Sequence, residues 1–200
     1  MGRAGRPSRR AGAPQAVEAG KPQAAGLPGA RHRPGGRSAG KVIFRTAAGR
    51  MGLTFEEFRP GMKVRSHSVT VTEAHVAAFA WLTGDWNPLH MDAEYAGSTI
   101  FGGRIAHGML TASLALGLFA PYLYGTAIAL LEVGARFLKP VRIGDTIYVE
   151  TEVLDRRPSE KYRGGGVVRL RHEVRNQNNE VVAVVETKAL VGGGRWPAST

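Results

Sequence analysis

Between Gly84 and Met91 the chain gathers a carboxylate, an amide and an imidazole, those of Asp85, Asn87 and His90, around Pro88. An aspartate and a histidine this close in sequence can hold one water or one substrate between an acid and a base, and the proline limits how far the loop can move. Two such groups with pKa values brought toward neutrality are each worth about a hundredfold to ten-thousandfold in rate. The residues alone leave a structural alternative open: Asp85 and Asn87 can make local turns, and His90 can be a buried histidine with satisfied nitrogens. With His107, Asp85 and His90 also make up a two-histidine, one-carboxylate set of the kind that binds metals.

The elements that must position these groups are readable from periodicity. Residues 64–71 read as a strand, and Thr72 has the hydroxyl and position of an N-cap for a helix running to about Thr83, with Val76, Phe79 and Ala80 on one face and Gly84 ending it. The stretch from Gly84 to Met91 is expected as a loop. Asp92 caps a single turn through Tyr95, and Gly97, Gly102 and Gly103 lead into an apolar helix from about Met109 to Ala120. Strands follow at about Leu130–Leu138, around Ile147–Val153, around Val168–Val174 and at Val181–Val191. In the middle two, Ile147, Val149, Thr151 and Val153, then Val168, Leu170, His172 and Val174, alternate with polar residues. Asn176–Asn179 reads as a hairpin turn and Arg157–Gly166 as a looser connection. Helices followed by a run of antiparallel strands give an α+β domain with one sheet packed on one apolar helix.

The formal net charge is +11, but it is unevenly placed. Residues 1–50 hold eleven Lys and Arg against the single acid Glu18, and residues 51–200 hold sixteen against fifteen. The first fifty residues are also rich in Gly, Pro and Ala, with Phe44 their only aromatic. Such a segment buries too little apolar surface to offset chain entropy, so residues 1–50 are expected as a disordered basic tail and residues 51–200 as one domain. The composition shift makes Met51 a candidate natural start. The tail has the charge for non-specific binding to nucleic acid but no aromatic residues spaced for stacking on bases, and nucleic acid is not expected as a partner. Gly35–Lys41 approaches a phosphate-binding loop, yet Val42 stands where a magnesium-binding hydroxyl is needed and no strand precedes it.

The absence of cysteine excludes disulfides, thiolate nucleophiles and Cys-ligated zinc, and is compatible with the cytoplasm, the expected location. Residues 1–50 have no apolar run of the kind a secretory signal needs. Ile105–Leu131 lacks formally charged residues, but Gly108, Gly117, Pro121 and Gly125 break it, and its continuous helical part is too short for about 30 Å of hydrocarbon. A buried helix is expected there, with no membrane partner.

Three segments carry a family resemblance. Phe79-Ala-Trp-Leu-Thr-Gly-Asp-Trp-Asn-Pro-Leu-His90, with Ala96 beyond it, resembles the signature of the MaoC-like, or type 2, enoyl-CoA hydratases. Phe101-Gly-Gly-Arg-Ile-Ala-His-Gly-Met-Leu110 is similar to that family's entry into its central helix, and Phe137-Leu-Lys-Pro-Val-Arg-Ile-Gly-Asp145 to its entry into the second strand. The likeness spans roughly residues 53–191 and leaves the tail aside.

The resemblance implies a hotdog fold, an antiparallel sheet wrapped around a long central helix and usually paired into a homodimer, and reversible addition of water to a trans-2-enoyl-CoA to give the (R)-3-hydroxyacyl-CoA, without a metal or other cofactor. Carried over residue by residue, it implies that Asp85 and His90 hold and activate the water. Asn87 supports Asp85 or the loop, and the backbone N–H of Gly108 receives the charge that develops on the thioester oxygen. His107 is expected as a structural neighbour. Arg136, Lys139 and Arg142 are expected either at the phosphates of coenzyme A or as solvated strand ends. Acyl length should depend on how Trp81, Trp86, Leu116 and Tyr122 pack. A hotdog acyl-CoA thioesterase and a non-catalytic acyl-CoA binding module are the rival functions.

Overall fold

The computed structural model describes residues 52–193. All of the described residues fall within one compact unit. The expected tail, the candidate start at Met51 and the Gly35–Lys41 stretch lie outside the described residues.

The described chain runs β1 (Lys63–Arg65), β2 (Val69–Thr70), α1 (Glu73–Thr83), α2 (Pro88–Met91), α3 (Ala93–Gly97), α4 (Gly108–Phe119), β3 (Ala127–Phe137), β4 (Thr146–Pro158), β5 (Gly166–Arg175) and β6 (Val181–Val191), with a 3₁₀ turn at Ala120–Leu123. The strands form an antiparallel sheet in the order β1-β4-β5-β6-β3, and β2 also pairs with β4. The α+β class and the four strands after the helices are as the periodicity predicts.

Two expectations change. The strand expected over residues 64–71 is two short pieces, because Ser66 leaves the ladder: its N–H donates to the Val149 carbonyl and its hydroxyl accepts from the Val149 N–H, both at 2.9 Å. The loop expected between Gly84 and Met91 contains a helical turn, α2. Asn87 caps it, its Oδ1 accepting from the Leu89 N–H at 3.0 Å, and Pro88 takes the first helical position, where a missing N–H costs nothing.

α4 packs along the concave side of the sheet. Leu110, Ala112, Ala115 and Leu118 meet Val149 of β4, Val174 of β5 and Val185 of β6 in one buried cluster. A second cluster joins Phe119 at the helix end to Phe58, Val153, Val168 and Leu170. No helix among the described residues is long and apolar enough to cross a membrane.

Candidate active site

α1 delivers the site loop. Thr72 caps the helix, its N–H donating to His75 Nδ1 at 3.0 Å, and Gly84 ends it with φ 78°, a left-handed turn that suits glycine. Immediately beyond, the Asp85 carboxylate is exposed, with Oδ1 accepting from the Asn87 N–H at 3.3 Å. Asn87 therefore fixes the loop, through its cap on α2 and through its backbone contact with Asp85. Of the two roles expected for its side chain, the cap is the one seen.

His90 sits on α2 and is buried. Its Nδ1 lies 2.8 Å from the carbonyl oxygen of Ile105 and donates to it, so the neutral ring keeps the Nε2 lone pair for another partner. His107, at the N-cap of α4, is also buried; its Nε2–H donates to the backbone carbonyl of Asp85 at 3.0 Å. The two imidazoles stack with centroids 3.9 Å apart and planes inclined by 36°, and Phe79 closes the other side of His107 at 5.1 Å. His107 thus ties the backbone of Asp85 to the ring of His90. Its Nδ1 has no partner among the described residues.

The carboxylate of Asp85 and one ring nitrogen from each histidine lie within 4.8 Å of one another. Each ring donates one N–H to a backbone carbonyl, which fixes its tautomer and orientation, as in acid–base pairs and in metal-ligating histidines alike.

A cleft of about 330 Å³ opens beside His90, walled by Phe101, Gly108, Thr111, Phe137 and Lys139 among others. Gly108 is the first residue of α4, where the backbone N–H has no intrahelical acceptor and carries the positive end of the helix dipole. An ideal Cβ on Gly108 would come within 3.1–3.2 Å of the Phe137 ring, so the glycine lets β3 close one wall of the cleft. Phe101, Thr111 and Phe137 were not singled out as site residues by sequence, although Phe101 and Phe137 open two of the three motif segments.

The three basic residues divide. Lys139 lines the cleft and pairs with Glu180 at 2.6 Å, Arg142 donates to the Phe101 carbonyl at 2.5 Å, and Arg136 is exposed on β3. Of the four residues expected to set acyl length, Trp81 and Trp86 are exposed and touch edge to face at 4.8 Å, Tyr122 stacks on Phe119, and Leu116 borders a second cavity.

Comparison with known proteins agrees with this architecture. Residues 55–177 match the family described as MaoC like domain. An (R)-specific enoyl-CoA hydratase of Aeromonas caviae is 46% identical over 101 residues, covering 50% of this chain and 75% of that protein. The unliganded R-hydratase of Pseudomonas aeruginosa superposes with a TM-score of 0.61 at 34% identity, over 71% of this chain and 87% of that one. A Mycobacterium tuberculosis protein described as a double hotdog fold superposes with a TM-score of 0.65 at 24% identity, over 74% of this chain and 46% of that one, which speaks for the fold. The helix wrapped by an antiparallel sheet is a hotdog fold, and the chain belongs to the MaoC-like domain family.

Proposed function

We propose that this protein is an (R)-specific enoyl-CoA hydratase, adding water reversibly across the double bond of a trans-2-enoyl thioester. The observation that carries the reading is the Asp85 carboxylate within 4.8 Å of a ring nitrogen of His90, which itself lines a cleft shared with Gly108, the first residue of α4. Water held between Asp85 and His90 loses a proton to the pair as its oxygen attacks the β-carbon. The pair returns a proton to the α-carbon, and the charge passing through the thioester oxygen is met by the Gly108 N–H. His107 keeps the Asp85 backbone and the His90 ring in register, and Asn87 holds the loop between them.

The same reading includes pairing of two copies through β3. Among the described residues this strand bonds only to β6, and Leu130, Leu131, Val133 and Phe137 are exposed along it. An open apolar edge of this length invites a second strand.

The test follows the conjugated enoyl absorbance of crotonyl-CoA while assaying free thiol, for the wild type, Asp85→Asn and His90→Ala. Loss of absorbance without thiol is expected, with kcat/KM falling about a hundredfold to ten-thousandfold in each variant. Thiol release would instead assign a thioesterase. Binding of the thioester with no turnover would assign a binding module.

A further inference from the structure

At the far end of α4 a second cavity, of about 240 Å³, lies between Leu116 and Phe119 of the helix and Ala127 and Leu130 of β3. The cleft beside His90 is walled by the same two elements, through Gly108 and Thr111 on the helix and Phe137 on the strand. Gly108, Thr111, Leu116 and Phe119 fall on one face of α4, so both cavities lie along one seam. At 1.5 Å per residue, Leu116 and Phe119 stand about 12–17 Å along the helix from Gly108. An extended acyl chain of roughly ten to fourteen carbons covers that distance at ordinary carbon–carbon bond lengths.

The walls of this cavity are apolar except for Tyr124 and for His172 of β5 and Thr187 of β6. His172 is fully buried. Its Nδ1 lies 2.7 Å from the Thr151 hydroxyl on β4, and its Nε2 lies 3.2 Å from the Thr187 hydroxyl. Burial pushes its pKa down to about 4, so near pH 7 the ring is neutral, with one N–H and one lone pair. One threonine must therefore donate to the ring and the other accept from it.

Their positions choose the direction. Thr151 is 2% exposed and does not border the cavity, so a hydroxyl proton turned away from the ring there would be shut into the core. Thr187 does border it. The arrangement that strands no donor runs from the Thr151 O–H to Nδ1, then from Nε2–H to the Thr187 oxygen, and leaves the Thr187 O–H for the cavity.

We propose that this cavity recognises an oxygen atom carried far along the acyl chain, a ketone or hydroxyl about ten to fourteen carbons from the thioester, which accepts a hydrogen bond from Thr187 aligned by His172 and Thr151. The substrate class is then a medium- to long-chain enoyl thioester oxygenated near its far end. This rests on the hydratase reading and adds to it a preference that an entirely apolar tunnel would not have.

The test uses the full chain with three thioesters: crotonyl-CoA, a plain twelve-carbon trans-2-enoyl-CoA, and the same chain with a ketone near its end. The wild type is expected to favour the ketone over the plain chain by about three- to tenfold in kcat/KM, the worth of one neutral hydrogen bond. Thr187→Val should abolish that preference and Thr187→Ser should keep it, while crotonyl-CoA, too short to reach the cavity, is turned over within about twofold of wild type by both. A wild type that favours the plain chain, or a ketone preference that survives Thr187→Val, overturns the proposal. If no thioester is hydrated, the hydratase reading fails separately. Calorimetric binding of the two long thioesters then decides the cavity's role: tighter binding of the ketone, lost in Thr187→Val, supports it, and equal binding overturns it.

Discussion

The His172 imidazole is buried against Phe119, Thr151 and Thr187, and the desolvation that burial imposes on its cation moves its pKa from 6.5 to about 4. On acidification the unfolded chain therefore binds this proton before the folded one does. The contribution of neutral His172 to stability is fully present above about pH 6.5 and is lost as the pH falls toward 4, and the shift corresponds to about 3 kcal/mol. Denaturant unfolding measured between about pH 7 and pH 4 should show wild-type stability dropping toward that of His172→Gln as the pH falls; parallel curves would remove the histidine from the acid response. Sequence alternation already turns His172 inward with Val168, Leu170 and Val174. It turns Thr151 inward on its own strand as well, but that Thr151 and Thr187 meet His172 follows only from the register of the sheet. The same limit divides the candidate site. Asp85, Asn87 and His90 are legible because one short loop holds all three, whereas the bond from His107 to the Asp85 carbonyl joins residues 22 apart in sequence and exists only once α4 has docked.

α4 is the element whose start matters most for the proposed chemistry, and Gly108 is where packing and that proposed role meet. A methyl group at Gly108 would press on the Phe137 ring at 3.1–3.2 Å, so the ring or the first turn must shift by a few tenths of an ångström. If the first N–H of α4 receives the thioester oxygen, that shift misaims it. Gly108→Ala should then lower kcat by about tenfold or more with a smaller change in KM, and adding Phe137→Leu should restore part of the loss. A variant that lowers the melting temperature and leaves kcat untouched would assign the glycine to packing alone. The apolar run fixed this helix to within one residue of its observed start, since a long uncharged stretch bounded by glycine and proline has little choice but to be buried. The short α2 was missed even though Asn87-Pro88 is a cap followed by a first helical position, because four residues are too few to show a period. The split between β1 and β2 was missed for a different reason: Ser66 breaks the ladder with a side-chain bond to Val149, a partner 83 residues away.

Among the described residues, β3 is the longer of the two edge strands of the sheet. β3 runs for eleven residues, bonds to β6 on one side only, and exposes Leu130, Leu131, Val133 and Phe137. Charged or broken edges are the usual defence against unwanted pairing, and β3 has Arg136, Glu132 paired with Lys188, and two register irregularities confined to residues 127–132, which leave residues 133–137 regular. Pairing with a second copy would cover this strand, and because Phe137 also walls the cleft beside His90, assembly and activity should be linked. Sedimentation velocity at micromolar concentration is expected to give twice the chain mass. Val133→Arg, which places a charge mid-strand away from the cleft, should shift the protein toward the single-chain mass and raise KM as the cleft wall loosens. A wild type that sediments as one chain would show that the edge is tolerated alone. A variant that becomes single-chain while keeping wild-type kinetics would show instead that the site is complete within one copy, and would place the burden of shaping the cleft on Gly108 and Phe137 alone.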